Sequence, residues 1–206
     1  SVLAGANELV IFNYDSFVDG HPGHHLLRMD FEKLTKLAKA IKTSPIHGIA
    51  GYKPPNSDAG GDLYIMDFIG MFGIPLLPTA HYPESAETIF LPTQAAADPE
   101  IVGKVFASHK QGKRIIMTAG FLATVDDNGK LAKLAGIIKP KVGVISTEKI
   151  ILDGSETALE RPLDLEAALE IKNATVILEA KSGNRTIPFL TQNKDGQIYV
   201  LNSHTF

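Results

Sequence analysis

Lys113-Arg114-Ile115-Ile116-Met117-Thr118-Ala119-Gly120-Phe121-Leu122 is the stretch on which the reading of this chain turns. Ile115 to Thr118 has the length and β-branched content of a buried strand, and Ala119-Gly120 breaks the run into a turn. Upstream, Asp98 and Pro99 start a helix through Ile101, Val102, Val105 and Phe106 that ends near Gly112, and Thr88 to Leu91 is another strand. Strand, helix and strand in this order form a parallel crossover unit. In an open sheet of this kind ligands bind beyond the carboxyl ends of the strands, so the turn at Thr118–Phe121 is a place to look for chemistry.

Moving towards the N-terminus, Ile46 to Ala50 is a short apolar strand and Gly51 to Gly61 a loop rich in Gly, Pro, Asn and Ser. Asp62 can cap a helix carrying Leu63, Ile65, Met66, Ile69 and Met71, which Gly73 closes. Ile74 to Leu77 is a strand that Pro75 confines to an edge or a bulge. Further out, Leu9 to Phe12 reads as a strand and Asp15 to His25 as a loop. Asp30 then caps a helix with Phe31, Leu34, Leu37, Ala38 and Ile41 on one side and Lys33, Lys36, Lys39 and Lys42 on the other. Pro45 ends it.

From Gly136 the character changes. Val142 to Ile145, Ile150 to Leu152, Thr175 to Leu178, Thr186 to Leu190 and Ile198 to Leu201 read as strands, and Leu165 to Ile171 as a short helix. Asn193-Lys194-Asp195-Gly196 is a hairpin turn. The pattern predicts an α/β fold with a mostly parallel sheet, helices on its faces and a β-rich C-terminal section.

The 206 residues suffice for one sizeable core, and a 44% apolar share is that of a globular domain. The net charge of −3 has no basic stripe in it, which argues against a nucleic-acid partner. Apolar runs are broken well short of membrane-spanning length. With no cysteine in the chain, disulfides, thiolate zinc ligands and a thiol nucleophile are excluded.

Residues at the strand ends are the candidates for a binding crevice: Tyr52, Asn56 and Asp58, then Thr79, His81 and Tyr82, then Gln94 and Phe121. No serine has glycine two residues away on both sides, and no Gly-x-Gly occurs, so neither a hydrolase elbow nor a dinucleotide fingerprint is present. His21, His24 and His25 lie close together, but two are adjacent and no second metal-binding frame accompanies them; a role in turn packing or a neighbouring-domain contact fits better, and neither metal nor cofactor is expected. Asp58 with Asp62 and Glu84 with Glu87 are carboxylate pairs that would serve glycoside hydrolysis only at the right separation. Otherwise they cap helices or sit in solvent. Without tryptophan, Tyr14, Tyr52 and Tyr82 are the aromatic faces a sugar could meet.

Two long runs carry a resemblance. One is Gly51-Tyr52-Lys53-Pro54-Pro55-Asn56-Ser57 followed by Asp67-Phe68-Ile69-Gly70-Met71-Phe72-Gly73-Ile74-Pro75-Leu76-Leu77-Pro78; the other is Pro188-Phe189-Leu190-Thr191 followed by Asp195-Gly196-Gln197-Ile198-Tyr199-Val200-Leu201-Asn202. With the opening Phe12-Asn13-Tyr14-Asp15-Ser16 and Gly20-His21-Pro22-Gly23-His24-His25, the chain resembles the class I glutamine amidotransferase-like domain that follows the catalytic barrel in some β-galactosidases and related glycoside hydrolases.

The resemblance implies a three-layer, flavodoxin-like fold and a parent enzyme that hydrolyses glycosides. In active amidotransferases the turn equivalent to Thr118–Leu122 bears a cysteine beside an oxyanion hole. Here it bears none, so the resemblance implies a non-catalytic accessory or trimerisation-like domain. Its partners would be a catalytic barrel of the same parent chain, further copies of itself, or carbohydrate. A free-standing hydrolase using carboxylates or histidines, and a small-molecule sensor, are the alternatives. The chain is read as one domain over 1–206, with a lead-in at 1–45, an α/β core at 46–137 and a β-rich completion at 138–206. It is expected to be a piece of a longer protein whose compartment is undetermined, the periplasm and the cell exterior included. The apolar Val10, Ile11, Phe12, Phe17 and Val18 predict that Leu9 to His25 docks on a surface another domain covers.

Overall fold

The computed structural model describes residues 20, 22–42, 47–55, 57, 65–71 and 73–203, and within these the side chains from 28 onward. The chain divides into two compact units, Ser1–His47 and Gly48–Phe206. The predicted strand Leu9 to Phe12, and most of the segment predicted to dock, lie outside the described residues.

The first unit contributes α1 (Pro22–Lys42). It starts earlier than expected, so Pro22 to His25 are helix and not loop, and Asp30 lies inside the helix instead of capping it. Proline at the first helical position explains the earlier start, because its fixed φ and missing N–H suit that place. Glu32 pairs with Lys36 at 2.9 Å one turn on, and Lys39 and Lys42 complement the dipole of the last turn.

The second unit is built on one nine-stranded sheet. In chain order its elements are β1 (Ile49–Tyr52), α2 (Ile65–Met71), β2 (Leu76–Thr79), β3 (Thr88–Leu91), a 3-10 helix (Thr93–Ala97), α3 (Ile101–Lys110), β4 (Arg114–Thr118), α4 (Ala119–Thr124), α5 (Lys130–Leu134), β5 (Val142–Leu152), β6 (Ser155–Ala167), β7 (Ala174–Ser182), β8 (Arg185–Asn193) and β9 (Ile198–Leu201). The strand order is β2-β1-β3-β4-β9-β8-β7-β5-β6. From β2 to β9 neighbours run parallel; from β9 to β6 they run antiparallel.

A mostly parallel sheet is therefore corrected to a mixed one whose antiparallel ladders are the longer. The reason lies in turns that the strand-by-strand reading undervalued. Asp153 and Gly154, at φ 49° and 77°, form a two-residue turn that pairs Leu152 with Ser155. That turn joins β5, expected as two separate short strands, to β6, no part of which was expected as strand. The helix expected over Leu165 to Ile171 is likewise corrected. Leu165 and Ala167 pair with Ile145 and Val142 as strand, and Ile171 forms an isolated bridge with Ile137.

Along the parallel strands side chains alternate between two faces. Ile89, Leu91, Ile115, Met117, Ile198 and Val200 share the main core with Ile101 and Val105 of α3, Phe121 and Leu122 of α4, and Leu131 of α5. Phe90 and Ile116 point to the opposite face, where α2 and residues of β6 line a shared cleft. A full second helical layer is not present among the described residues, so the three-layer expectation is corrected as well. The antiparallel wing has its own small core of Leu165, Ala180 and Ile187.

Candidate functional site

The turn after β4 lies at the carboxyl end of a central parallel strand, where open sheets bind ligands. Thr118 is fully buried, at φ −77° and ψ 156°, and its Oγ1 accepts the N–H of Phe121 at 3.1 Å. It is an ordinary N-cap, with one of the helix's first N–H groups satisfied by a hydroxyl. None of residues 118–121 has a positive φ, so the sharp, strained elbow that presents a nucleophile is not formed.

The next backbone donor is occupied from within the chain. Gly120 N–H donates to Glu166 Oε2 at 2.7 Å, and Glu166 is 2% exposed. A Cβ on residue 120 would lie 2.0 Å from Glu166 Oε1 and 2.5 Å from Thr93 Oγ1. Glycine is thus required by the close approach of the carboxylate. Glu166 reaches this point because β6 ends here, and Asn202, just past β9, fixes that end. Asn202 Oδ1 accepts the N–H groups of Glu166 and Ala167 at 3.1 and 3.0 Å, and its Nδ2 donates to Ala167 O and Pro188 O at 2.7 and 3.0 Å. One buried amide thereby joins β6, β8 and β9.

A second polar group is centred on Asp98. Asp98 is buried; Oδ2 accepts Tyr52 Oη–H and Lys104 Nζ–H, both at 2.8 Å, and Oδ1 accepts Glu100 N–H at 2.9 Å. Burial alone would raise the Asp98 pKa, but the bond from Lys104, then those from Glu100 N–H and Tyr52, outweigh it and hold the carboxyl below its usual range. The same bond to Asp98 leads in raising Lys104. Burial, then the bond to Asp98, push the Tyr52 phenol up to about 12. Tyr82 stands edge-on to Tyr52, ring centroids 5.4 Å apart, and shares a 2.9 Å hydrogen bond with Ser108.

The predicted strand-end residues divide accordingly. Tyr52 and Gln94 are buried, and Phe121 lies wholly within the main core. Thr79 is half-buried and donates to Gly51 O at 3.4 Å; Tyr82 is half-buried; His81 is exposed. Asn56 and Asp58 lie outside the described residues, as do His21 and Asp62. Glu84 and Glu87 are exposed. Sequence reasoning missed Glu166, Asn202 and Asp98 as site-forming groups. The Asp153-Gly154 pair was the available signal for the first, since it predicts the hairpin that delivers β6 to the turn.

A family model described as "Uncharacterized protein SSO3021, second domain" matches residues 43–206. The chain belongs to this family. The matched span contains the whole sheet, the turn after β4 and the Glu166–Asn202 group. A comparison with curated proteins finds no match. Among solved structures, this SSO3021-type domain is similar to Gan42B, a GH42 β-galactosidase from G. stearothermophilus, at 14% identity and a TM-score of 0.57, over 84% of this chain and 31% of that one. It is similar to α-L-fucosidase isoenzyme 2 from Paenibacillus thiaminolyticus at 12% identity and a TM-score of 0.57, over 85% and 33% of the two chains. A ThuA-like protein from Bacteroides uniformis gives 11% identity and a TM-score of 0.55, over 79% and 83%. At these identities the likeness is one of fold. The chain spans about a third of the length of each of these glycosidases.

Proposed function

We propose that this chain is a non-catalytic, amidotransferase-like accessory domain of a carbohydrate-active protein, its parent a glycoside hydrolase. In that role it packs on a catalytic barrel of the same parent chain or makes contacts between subunits. The observation that carries the reading is the turn after β4. The hydroxyl that ends β4, that of Thr118, caps α4, and the N–H of Gly120 is held by the Glu166 carboxylate. The turn is held by the domain's own side chains, which engage the Gly120 and Phe121 N–H groups that could otherwise face an oxyanion. The fold shared with parts of two glycosidases supports the same reading.

Residues 1–206 act in this proposal as one domain. Tyr52, Asn56, Asp58, Thr79, His81, Tyr82, Gln94 and Phe121 mark the edge that faces the partner or its carbohydrate, with Thr79, His81 and Tyr82 its accessible described part. The experiment is to express the chain with the sequence that flanks it in its gene and to assay aryl-glycoside hydrolysis. Activity should belong to the longer protein and survive Thr118→Ala and Glu166→Gln. Hydrolysis by the 206-residue chain alone, lost on either substitution, would overturn the proposal.

A further inference from the structure

The face of the parallel strands opposite the main core opens into a cleft of about 680 Å³. Phe90 of β3 and Ile116 of β4 line it, together with Phe68 of α2 and Leu163 of β6. Its lining among the described residues is apolar with two exceptions, Arg161 and Ser203. Ser203 is 2% exposed, and its Oγ is buried without a hydrogen-bond partner among the described residues. Arg161 is exposed at the cleft and has no carboxylate within ion-pair distance among the described residues.

These features select an occupant. A buried hydroxyl without a partner is costly, and so is a guanidinium covered without a counter-charge. A sugar would bring many hydroxyls to a surface offering two polar groups, so the cleft does not suit the carbohydrate of the proposed parent. An apolar protein face would cover Arg161 without neutralising it. A slender apolar molecule with one anionic end satisfies the whole lining, and the volume falls in the range of about 300–1,000 Å³ usual for ligand pockets.

We propose that the cleft binds a single-chain amphipathic anion of the class of a medium- or long-chain fatty acid. The alkyl chain lies among Phe90, Ile116, Phe68 and Leu163. The carboxylate pairs with the Arg161 guanidinium and accepts the Ser203 hydroxyl proton. This site is on the other face of the sheet from the turn after β4 and stands independently of the accessory-domain reading.

Titration calorimetry of the 206-residue chain with laurate, kept below its micellar concentration, and with 1-dodecanol tests it. Laurate should bind saturably at one site per chain. Arg161→Leu should weaken laurate by about tenfold or more, the worth of a charge-assisted pair, and leave dodecanol unchanged. Leu163→Trp, which fills the cleft from β6, should remove both; Ile116→Trp does so from β4, and a circular dichroism spectrum shows which variant keeps the fold. Non-saturable uptake, or equal loss of laurate and dodecanol on Arg161→Leu, would overturn the proposal. A change of sedimentation coefficient on Leu163→Trp without any laurate site would overturn it too, and would assign the cleft to a second copy of the chain.

Discussion

The parallel half and the antiparallel wing belong to one sheet and meet at β9, yet they are stabilised differently. The parallel strands are four or five residues long, and Ile89, Leu91, Ile115 and Met117 are entirely buried between them and the helices. Such strands need crossover helices and covered faces, and they read as short apolar runs. Strands β5 to β8 run for nine to thirteen residues, tight turns join β5 to β6 and β7 to β8, and Val142, Val144 and Leu152 stand exposed. The parallel half supplies the site architecture. The wing supplies what fills it, since Glu166 and the two N–H groups bound by Asn202 sit at the end of β6. The difference teaches that the wing completes the parallel half, because a side chain at the end of β6 holds a backbone N–H in the turn after β4.

If the halves are joined as described, Asn202→Ala should have the largest effect. It strips partners from two N–H and two C=O groups, and each buried group left unsatisfied costs about 1–3 kcal/mol. Against a domain stability of about 5–15 kcal/mol, the denaturant midpoint should fall steeply. An unchanged midpoint would mean that the junction at β9 is not where the halves are tied.

Gly120→Ala comes next. It forces a methyl against the Glu166 carboxylate and should cost about 1–3 kcal/mol or more. Glu166→Ala in the same chain should return part of that loss. Additive costs in the double variant would show that the carboxylate does not hold the turn.

Within the parallel half, Tyr52→Phe should cost about 1–2 kcal/mol, because Asp98 keeps its bonds from Lys104 and Glu100 N–H. Asp98 also predicts an acid limb. Its folded pKa lies below its unfolded value, so the stability it contributes is complete above the ordinary carboxylate range and is lost as the pH falls through the folded value. Asp98→Asn should flatten that limb in a plot of melting temperature against pH.

The smallest effect belongs to the wing's surface. Glu156 bonds Lys149 and Lys181, which, led by the Lys181 bond, lower its pKa to about 2. This contribution too is present at neutral pH and fades only as the pH falls towards 2, but the group is solvent-exposed. Glu156→Gln should therefore leave the neutral-pH melting temperature within the scatter of repeat measurements, with any change confined to amide exchange in β5 and β6.

How much was legible in the sequence follows the same division. Thr88 to Leu91 was read with its observed bounds, and Ile115 to Thr118 within one residue, because buried parallel strands are continuous apolar runs between turn signals. The end of α2 was legible from Gly73, whose φ is 79°. The wing was read only in fragments. Strand β6 opens Ser155-Glu156-Thr157-Ala158-Leu159-Glu160-Arg161-Pro162, polar and proline-containing, as an exposed edge strand is. Leu165 and Leu169 then mimicked helical spacing, whereas Leu163, Leu165 and Ala167 follow the strand period. The absence of a cysteine was legible from composition. Glu166 as the group that holds the turn was not, because the contact spans 46 residues and depends on how β6 ends.

The turn after β4 is held internally by Thr118 and Glu166, and the proposed accessory role requires that it perform no chemistry. Turnover assays of the purified 206-residue chain on glutamine and on p-nitrophenyl glycosides, beside Thr118→Ala and Glu166→Gln, address it most directly. The account predicts no turnover above buffer for any of the three proteins. Turnover by the unsubstituted chain that disappears in a folded Thr118→Ala or Glu166→Gln variant would contradict it.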